Sequence, residues 1–312
     1  MSTEREVAAA TALPSHSASA IIPPPGVSQL PAFDRGWVGP VGAREPFLSY
    51  IGGEPSVNWS DELEALHEEG SRTHFLDRRT RQAIVRRIDG LAGYPVIADL
   101  GCSTGYLLED LRAAYPPAQL IGVDLIASGL RKAHAQQPDV RLLQADVGAL
   151  PLADASIDAV VSANLLEHVP DDSRALQEIA RVLRRRRRAV IVVPAGAHTY
   201  DYYDRFLGHE RRYARGELAA KAADAGLDVL EDFYIGSLLY PAFWLVKQRN
   251  RRRYDTLRGA ALEQRVSADI VRTKDSRVGE LLLHLEDRLL CSGARLPFGI
   301  RSVVVAQRPG RD

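Results

Sequence analysis

Between Val96 and Tyr234 the chain repeats one unit: a short apolar run, a turn, and a segment whose apolar residues recur at helical spacing. The runs are Val96–Leu100, Leu120–Val123, Val140–Gln144, Ile157–Ser162, Ala189–Val193 and Leu227–Tyr234, and helical segments begin near Gly105, Ala127, Asp172 and Ala214. Runs that are apolar throughout are buried on both faces, and helices between them make them parallel. The alternation therefore predicts a doubly wound α/β sheet. A last strand, Ser302–Ala306, follows some sixty residues of helical character that include Leu257–Leu262 and Val278–Leu290.

Upstream the pattern changes. Residues 1–45 are rich in Ala, Ser, Pro and Gly, with Pro23, Pro24 and Pro25 in a row, and read as a disordered or loosely draped tail. Residues 46–94 read as a helical cap: Leu63, Leu66 and His67 share one helical face, followed by Phe75, Leu76, Ile84, Val85 and Ile88. No strand signal precedes residue 95.

Composition excludes several function classes. Forty Lys and Arg balance forty Asp and Glu, so a nucleic acid or an anionic membrane could be held only by a local patch. Only four of those cations are lysine, a bias that base composition can explain. Two cysteines, Cys102 and Cys291, make no disulfide framework, and no Cys and His cluster has zinc-ligand spacing, so a cytoplasmic protein without metal is expected. The longest apolar stretch, Ile235–Val246, is about half of the roughly 20 residues of a spanning helix. Acids among the first residues argue against a secretory signal.

The segment Asp99-Leu100-Gly101-Cys102-Ser103-Thr104-Gly105 runs from a buried strand through a small-residue turn into a helix, where unpaired N–H groups and absent side chains let a ligand approach the backbone. Ser103 and Tyr106 occupy positions where the nicotinamide-dinucleotide fingerprint needs glycine. Gly-Cys-Ser-Thr-Gly also matches a hydrolase nucleophile elbow, yet the preceding strands and oxyanion loop of such an enzyme are missing. The next strand ends in Asp124, nineteen positions beyond Gly105, where a carboxylate can accept the two hydroxyls of a ribose or cap the following helix. The third strand leads to Asp146, a partner for an adenine amino group or a turn aspartate before Gly148. Together the three strand ends make a nucleoside pocket the economical reading.

These residues resemble the class I S-adenosylmethionine-dependent methyltransferases of the type 11 group, over about residues 70–310. The segments that carry the resemblance are Ala98–Gly105, Gly122-Val123-Asp124, Ala145-Asp146 and Ser156–Val169. It implies a Rossmann-like doubly wound sheet of about seven strands, the last antiparallel, with a helical insertion before it. The cofactor domain would be 95–235 with 300–308, and 236–299 the insertion, an acceptor lid. It further implies that Asp99, Gly101, Cys102, Ser103 and Gly105 hold the methionine portion of S-adenosylmethionine. Asp124 would bind the ribose, Leu125 and Val147 the adenine faces, Asp146 the adenine amino group, and Asn164 and Leu165 would approach the sulfonium. The chain departs from the family in Ser103, which replaces a glycine, in Arg184–Arg188, where Pro and Gly are usual, and in Leu76, where tryptophan is frequent.

The implied function is methyl transfer to a small-molecule acceptor whose reacting atom, O, N or C, these residues leave open. Alignment and exclusion of water supply most of the acceleration, and a histidine near neutral pH can act as base. His168, just past the fourth strand, and His209, in Tyr202–Tyr213, are the candidates; Tyr202, Tyr203 and Tyr213 are candidate acceptor walls. Three alternatives stay open: a non-catalytic module that binds S-adenosylmethionine, a lipidic acceptor and an RNA acceptor. Nucleic acid is not expected, because net charge is zero and no Asn-Pro-Pro-Tyr type motif occurs; Arg184–Arg188 reads as a solvated helix end. Residues 240–253, aromatic and aliphatic and then cationic, fit either peripheral membrane contact or a core helix with a charged end. The sequence leaves the oligomeric state unspecified.

Overall fold

The computed structural model describes residues 20–39, 42–52, 72–88, 90–254, 256–259, 261–262, 264–266, 276–292 and 296–310. Three two-residue strands come first, β1 (Trp37–Val38), β2 (Arg44–Glu45) and β3 (Leu48–Ser49), then helix α1 (Phe75–Val85). The repeating unit follows as β4 (Val96–Leu100), α2 (Tyr106–Ala114), β5 (Gln119–Asp124), α3 (Ala127–Gln136), β6 (Arg141–Gln144), β7 (Ile157–Ala163), α4 (Asp172–Val182) and β8 (Leu183–Pro194). The chain continues with α5 (Tyr202–Phe206), α6 (Glu217–Asp224), β9 (Asp228–Ile235), α7 (Tyr240–Tyr254), α8 (Arg277–Cys291) and β10 (Arg301–Gln307).

Eight strands form one Rossmann-like sheet in the order β3-β6-β5-β4-β7-β8-β10-β9. Pairing is parallel from β3 to β8, and β10 runs antiparallel to both β8 and β9, as expected of the last strand. Alternate residues of each strand enter opposite cores. Ala98, Leu100, Ile191, Val193 and Val304 pack with Leu176, Ile179 and Val182 of α4 on one face. Ile97, Val190, Val192, Val303 and Val305 pack with Ile84 of α1 and Leu107, Leu108 and Leu111 of α2 on the other. This two-sided burial is why the runs carry no polar alternation.

Three expectations are corrected. Strands do precede residue 95: β3 extends the sheet beyond β6, and the tail lies against that edge. Trp37 is buried and its Nε1 donates to Leu142 O at 3.1 Å, while Ile21 bridges Leu152 and Ala153 N donates to Ala20 O at 2.8 Å. Residues 20–39 are therefore docked by two buried apolar anchors and edge hydrogen bonds; residues 1–19 lie outside the described residues. Second, Arg184–Arg188 is no helix end. It is an excursion at the start of β8, between the pairs Ile157↔Leu183 and Ala159↔Arg188. Arg184 Nη1 donates to both oxygens of buried Asp158, at 2.9 and 2.8 Å, and Asp158 also accepts from Val96 N at 3.0 Å. A buried carboxylate needs such donors, and this one draws the run back onto the sheet.

Third, α7 is not a core helix: it buries Lys247 and Asn250 but leaves Trp244, Leu245 and Val246 42%, 64% and 54% exposed. Among the described residues no helix is long and apolar enough to cross a membrane. The expected upstream face of Leu63, Leu66 and His67, and Ala260 within the expected Leu257–Leu262 helix, lie outside the described residues.

Candidate functional site

The turn after β4 is built from backbone conformations that glycine tolerates best. Gly101 has φ 75° and Gly105 φ 90°, and Ser103 between them is also left-handed at φ 45°. The turn is pinned to the neighbouring strand, since Gly101 N and Cys102 N donate to Val123 O at 2.8 and 3.2 Å. A Cβ at Gly101 would lie 3.0 Å from Leu165, so the turn lies directly against that side chain.

Asp124, at the end of β5, ties two strand ends together. Its Oδ2 accepts from Ser103 N at 2.8 Å and its Oδ1 from Ile126 N, at the start of α3, at 2.9 Å. The helix-start contact anticipated as the structural alternative is therefore present, but the second bond reaches the glycine turn. A carboxylate has about four acceptor sites, so these bonds do not exhaust it. Asp99, in β4, is 2% exposed, and its Oδ2 has no hydrogen-bond partner among the described residues. Burial, and secondarily the charge of Asp124, push its carboxyl up to about 8.

The third strand end is arranged differently. Asp146 is exposed and its Oδ1 accepts from Gly148 N at 2.8 Å, the turn role weighed for it. Val147 is 5% exposed and belongs to the core below α4. Cys102 likewise turns its side chain into the core, where its Sγ would lie 2.9 Å from a Cβ at Gly122. Their backbones remain at the sheet edge, but these two side chains belong to the interior. Leu125 is half-buried, and its carbonyl accepts from Gln144 Nε2 at 3.0 Å.

At the end of β7, Asn164 is left-handed at φ 54°, held by its N–H on Val192 O at 2.9 Å. Asparagine is among the few residues that accept this conformation. It turns the chain so that Leu165 covers Gly101 and a short 3-10 turn, Leu166–His168, follows. Glu167 in that turn is 1% exposed, and its Oε2 has no hydrogen-bond partner among the described residues. Burial pushes its carboxyl up to about 8, against the opposing fields of Arg301 and Arg212. The sequence reading missed Glu167; a lone carboxylate among Leu165, Leu166 and Val169 was the available signal.

The segment after α5 comes back to this turn. Glu210 N donates to Glu167 O at 2.8 Å, and the rings of His168 and His209 meet edge to face with centroids 4.7 Å apart. The two candidate bases are thus brought together. His209 Nδ1 bonds Asp204 Oδ1 at 2.9 Å; Arg212 Nε donates to the same oxygen at 2.6 Å, and Lys247 Nζ to Oδ2 at 3.3 Å. Burial lowers the pKa of His209 despite Asp204, and His209 with the two cations holds Asp204 well below the usual carboxylate range. Tyr213, with its hydroxyl on Asp172 Oδ2 at 2.7 Å, is fully buried, and Tyr202 is buried against Tyr254; both are packing residues rather than walls of an open cavity.

Asp99, Gly101, Ser103, Gly105, Asp124, Asn164 and Leu165 are gathered along the carboxyl ends of β4, β5 and β7, the edge where ligands lie in doubly wound sheets.

Residues 98–191 match the family model described as methyltransferase domain, Methyltransf_11. The ubiquinone/menaquinone biosynthesis C-methyltransferase of Syntrophotalea carbinolica is 40% identical over 113 residues, 35% of this chain and 47% of that protein. The ubiquinone biosynthesis O-methyltransferase of Cupriavidus pinatubonensis is 31% identical over 169 residues, 46% of this chain and 64% of that protein. The chain thus spans about half the length of curated relatives it matches. Among solved structures, Haemonchus contortus phosphoethanolamine N-methyltransferase 2 in complex with S-adenosyl-L-methionine superimposes with a TM-score of 0.54 at 16% identity, covering 81% of this chain and 58% of that one. At that identity the likeness is one of fold.

Proposed function

Because residues 98–191 belong to the class I S-adenosylmethionine-dependent methyltransferase family, we propose that the chain binds S-adenosylmethionine across the ends of β4, β5 and β7 and transfers its methyl group to a small-molecule acceptor. The observation that carries this reading is the buried carboxyl of Asp99, whose Oδ2 has no partner beside the glycine turn. Its burial is costly unless a cation meets it, and the ammonium of the cofactor's methionine portion is such a group.

The remaining roles follow from position. The N–H groups and small residues of 101–105 would hold the methionine portion, Asp124 the ribose hydroxyls, and Leu125 one adenine face. Asp146 would meet the adenine amino group through the oxygen not used in its turn, with the backbone of Val147 beside it, and Asn164 and Leu165 would flank the sulfonium. S-adenosylmethionine supplies a methyl group that is already strongly electrophilic, which leaves alignment and exclusion of water to the protein. A neutral imidazole can accept an acceptor's proton, and burial favours that form of His209. His168 stands against it and closer in sequence to Leu165.

Calorimetry with S-adenosylmethionine, then transfer of a labelled methyl group to a panel of O, N and C acceptors, tests the reading. Saturable binding with turnover is expected. Binding without turnover on any acceptor would favour a non-catalytic module, and no binding at millimolar cofactor would reject both. His168→Ala should leave cofactor affinity unchanged and slow transfer if that ring is the base.

One observation favours a lipidic acceptor within this reading. Trp244, Leu245 and Val246 are exposed on α7, and Arg249, Arg251, Arg252 and Arg253 follow them. An apolar face flanked by arginines suits an anionic bilayer surface. Co-sedimentation with vesicles containing anionic lipid, lost in Leu245→Asp and at high salt, is the expected result; salt-insensitive or absent sedimentation would remove it.

A further inference from the structure

Glu167, His168 and His209 each bring a potential ligand atom to within 4.8 Å of the others. These atoms come from two chain segments fixed to one another. The first turn is closed by His168 N on Leu165 O at 2.9 Å, and the second is joined to it by Glu210 N on Glu167 O at 2.8 Å. Their geometry is therefore a property of the folded backbone rather than of loose surface side chains.

Glu167 is the unusual member. Its Oε2 is buried and has no donor among the described residues. The guanidiniums whose charge it senses are bound elsewhere: Arg212 to Asp204 and Ala195 O, Arg301 to Thr80 and Asp77. A buried carboxyl oxygen left in this state calls for a missing partner.

His209 is prepared for the same purpose. Its Nδ1 faces Asp204, which leaves Nε2 as the atom able to enter the cluster. Asp204 is fully buried and locked by Arg212 and Lys247, so the imidazole is held in orientation from behind. Ligating histidines characteristically bond a carboxylate through their other ring nitrogen, which fixes tautomer and direction.

We propose that Glu167, His168 and His209 form a binding site for a divalent first-row transition cation, whose remaining coordination positions take oxygen donors of the methyl acceptor. Two imidazoles and one carboxylate with open positions are a donor set suited to such ions. Three ligand atoms about 2.1 Å from one ion lie about 3.0–3.6 Å from one another, so the widest pair, up to 4.8 Å apart, must close by roughly 1 Å, a movement of the side chains on the fixed backbone. The acceptor class follows from position: the site begins two residues after Leu165, so an acceptor chelated there through hydroxyl, carboxylate or phosphate oxygens would lie beside the proposed cofactor. That last inference rests on the methyltransferase reading; the cation site itself does not, and with an ion bound the two imidazoles act as ligands and neither serves as the base. Spacing in the sequence could not reveal it, because His209 lies far downstream of the adjacent Glu167 and His168.

The test uses the full untagged chain, freed of metal with a chelator, with Co2+ as the probe followed by visible absorption and calorimetry. One Co2+ per chain is expected, with absorption of mixed nitrogen and oxygen coordination. Glu167→Gln, His168→Ala and His209→Ala should each weaken it by about tenfold or more, while S-adenosylmethionine affinity measured on the same samples is retained. Glu167→Gln keeps side-chain shape and an amide oxygen able to accept the carboxyl's bond from its own backbone N–H, and His168→Ala changes a part-exposed ring, so these two decide the matter if His209→Ala does not fold. No saturable binding at millimolar Co2+, or affinity unchanged in both Glu167→Gln and His168→Ala, overturns the site. Co2+ binding with no affinity for S-adenosylmethionine overturns the methyltransferase reading instead and leaves the cation site standing.

Discussion

Lowering the pH below 8 should weaken cofactor binding through a single group, Asp99. Its carboxyl is buried, partnerless at Oδ2 and raised to about 8, so at pH 7 it is mostly protonated in the free protein. A cationic ammonium favours the ionised form, and binding therefore releases the proton. The apparent dissociation constant should rise as 1 + 10^(8 − pH), about tenfold or about 1.4 kcal/mol for each unit below 8. The ligand's own α-amino group stays charged below about pH 7.7, so the comparison belongs between pH 6 and 7.5. Calorimetry in two buffers of different ionisation enthalpy counts the protons: about 0.9 released at pH 7, given a carboxyl at about 8. Asp99→Asn should bind weakly and show neither the slope nor the proton. The sign for stability is opposite. A carboxyl raised above its unfolded value costs stability as pH climbs from about 4 to 8, so Asp99→Asn should melt higher than the wild type at pH 7.5. A flat affinity from pH 6 to 7.5 in the wild type, or an unchanged slope in Asp99→Asn, would refute the argument.

Gly101→Ala should reduce cofactor affinity by at least tenfold, because the new Cβ would meet Leu165 at 3.0 Å in a backbone with φ 75° and either the turn or Leu165 must move; calorimetry with unaltered affinity would show that the turn does not bear on the ligand. Asp124→Ala removes the acceptor of Ser103 N and Ile126 N, so affinity and thermal stability should fall together, the latter by about 1–3 kcal/mol. Ser103→Gly should gain up to about 1 kcal/mol in chemical denaturation by relieving a left-handed serine, φ 45°. Lys247→Ala leaves buried Asp201 and Asp204 without their ammonium and should cost about 3–5 kcal/mol. A melting temperature equal to that of the wild type would mean the cluster does not hold α7 to α5.

The sheet was legible because each parallel strand writes its two-sided burial directly into sequence, as in Val96–Leu100, where every residue is buried. Short or charged pieces were not. Leu48–Ser49 is a two-residue strand, below the length at which a period can be counted. Arg184–Arg188 reads locally as a helix end, and only the distant placement of Asp158 in β7 makes it part of β8. Position along the strands showed that Asp124 and Asp146 sit at one edge but not what they bond, and one of them proves to tie the turn while the other caps itself.

The difference between legible and illegible polar groups bears on function. Asp158, near the amino-terminal edge of β7, is buried and supplied with donors from Val96 and Arg184, as folding requires. Asp99 and Glu167, at the carboxyl-terminal edge of neighbouring strands, are buried as deeply, and each keeps a carboxyl oxygen without a donor among the described residues. Folding alone gives no reason for that asymmetry between the two edges, because an unsatisfied buried carboxyl costs stability wherever it lies. A cationic ligand at each supplies the reason: an ammonium beside Asp99 and a metal ion beside Glu167. The two are separable, since Asp99→Asn should abolish the pH dependence of cofactor binding without touching Co2+, and Glu167→Gln should do the reverse.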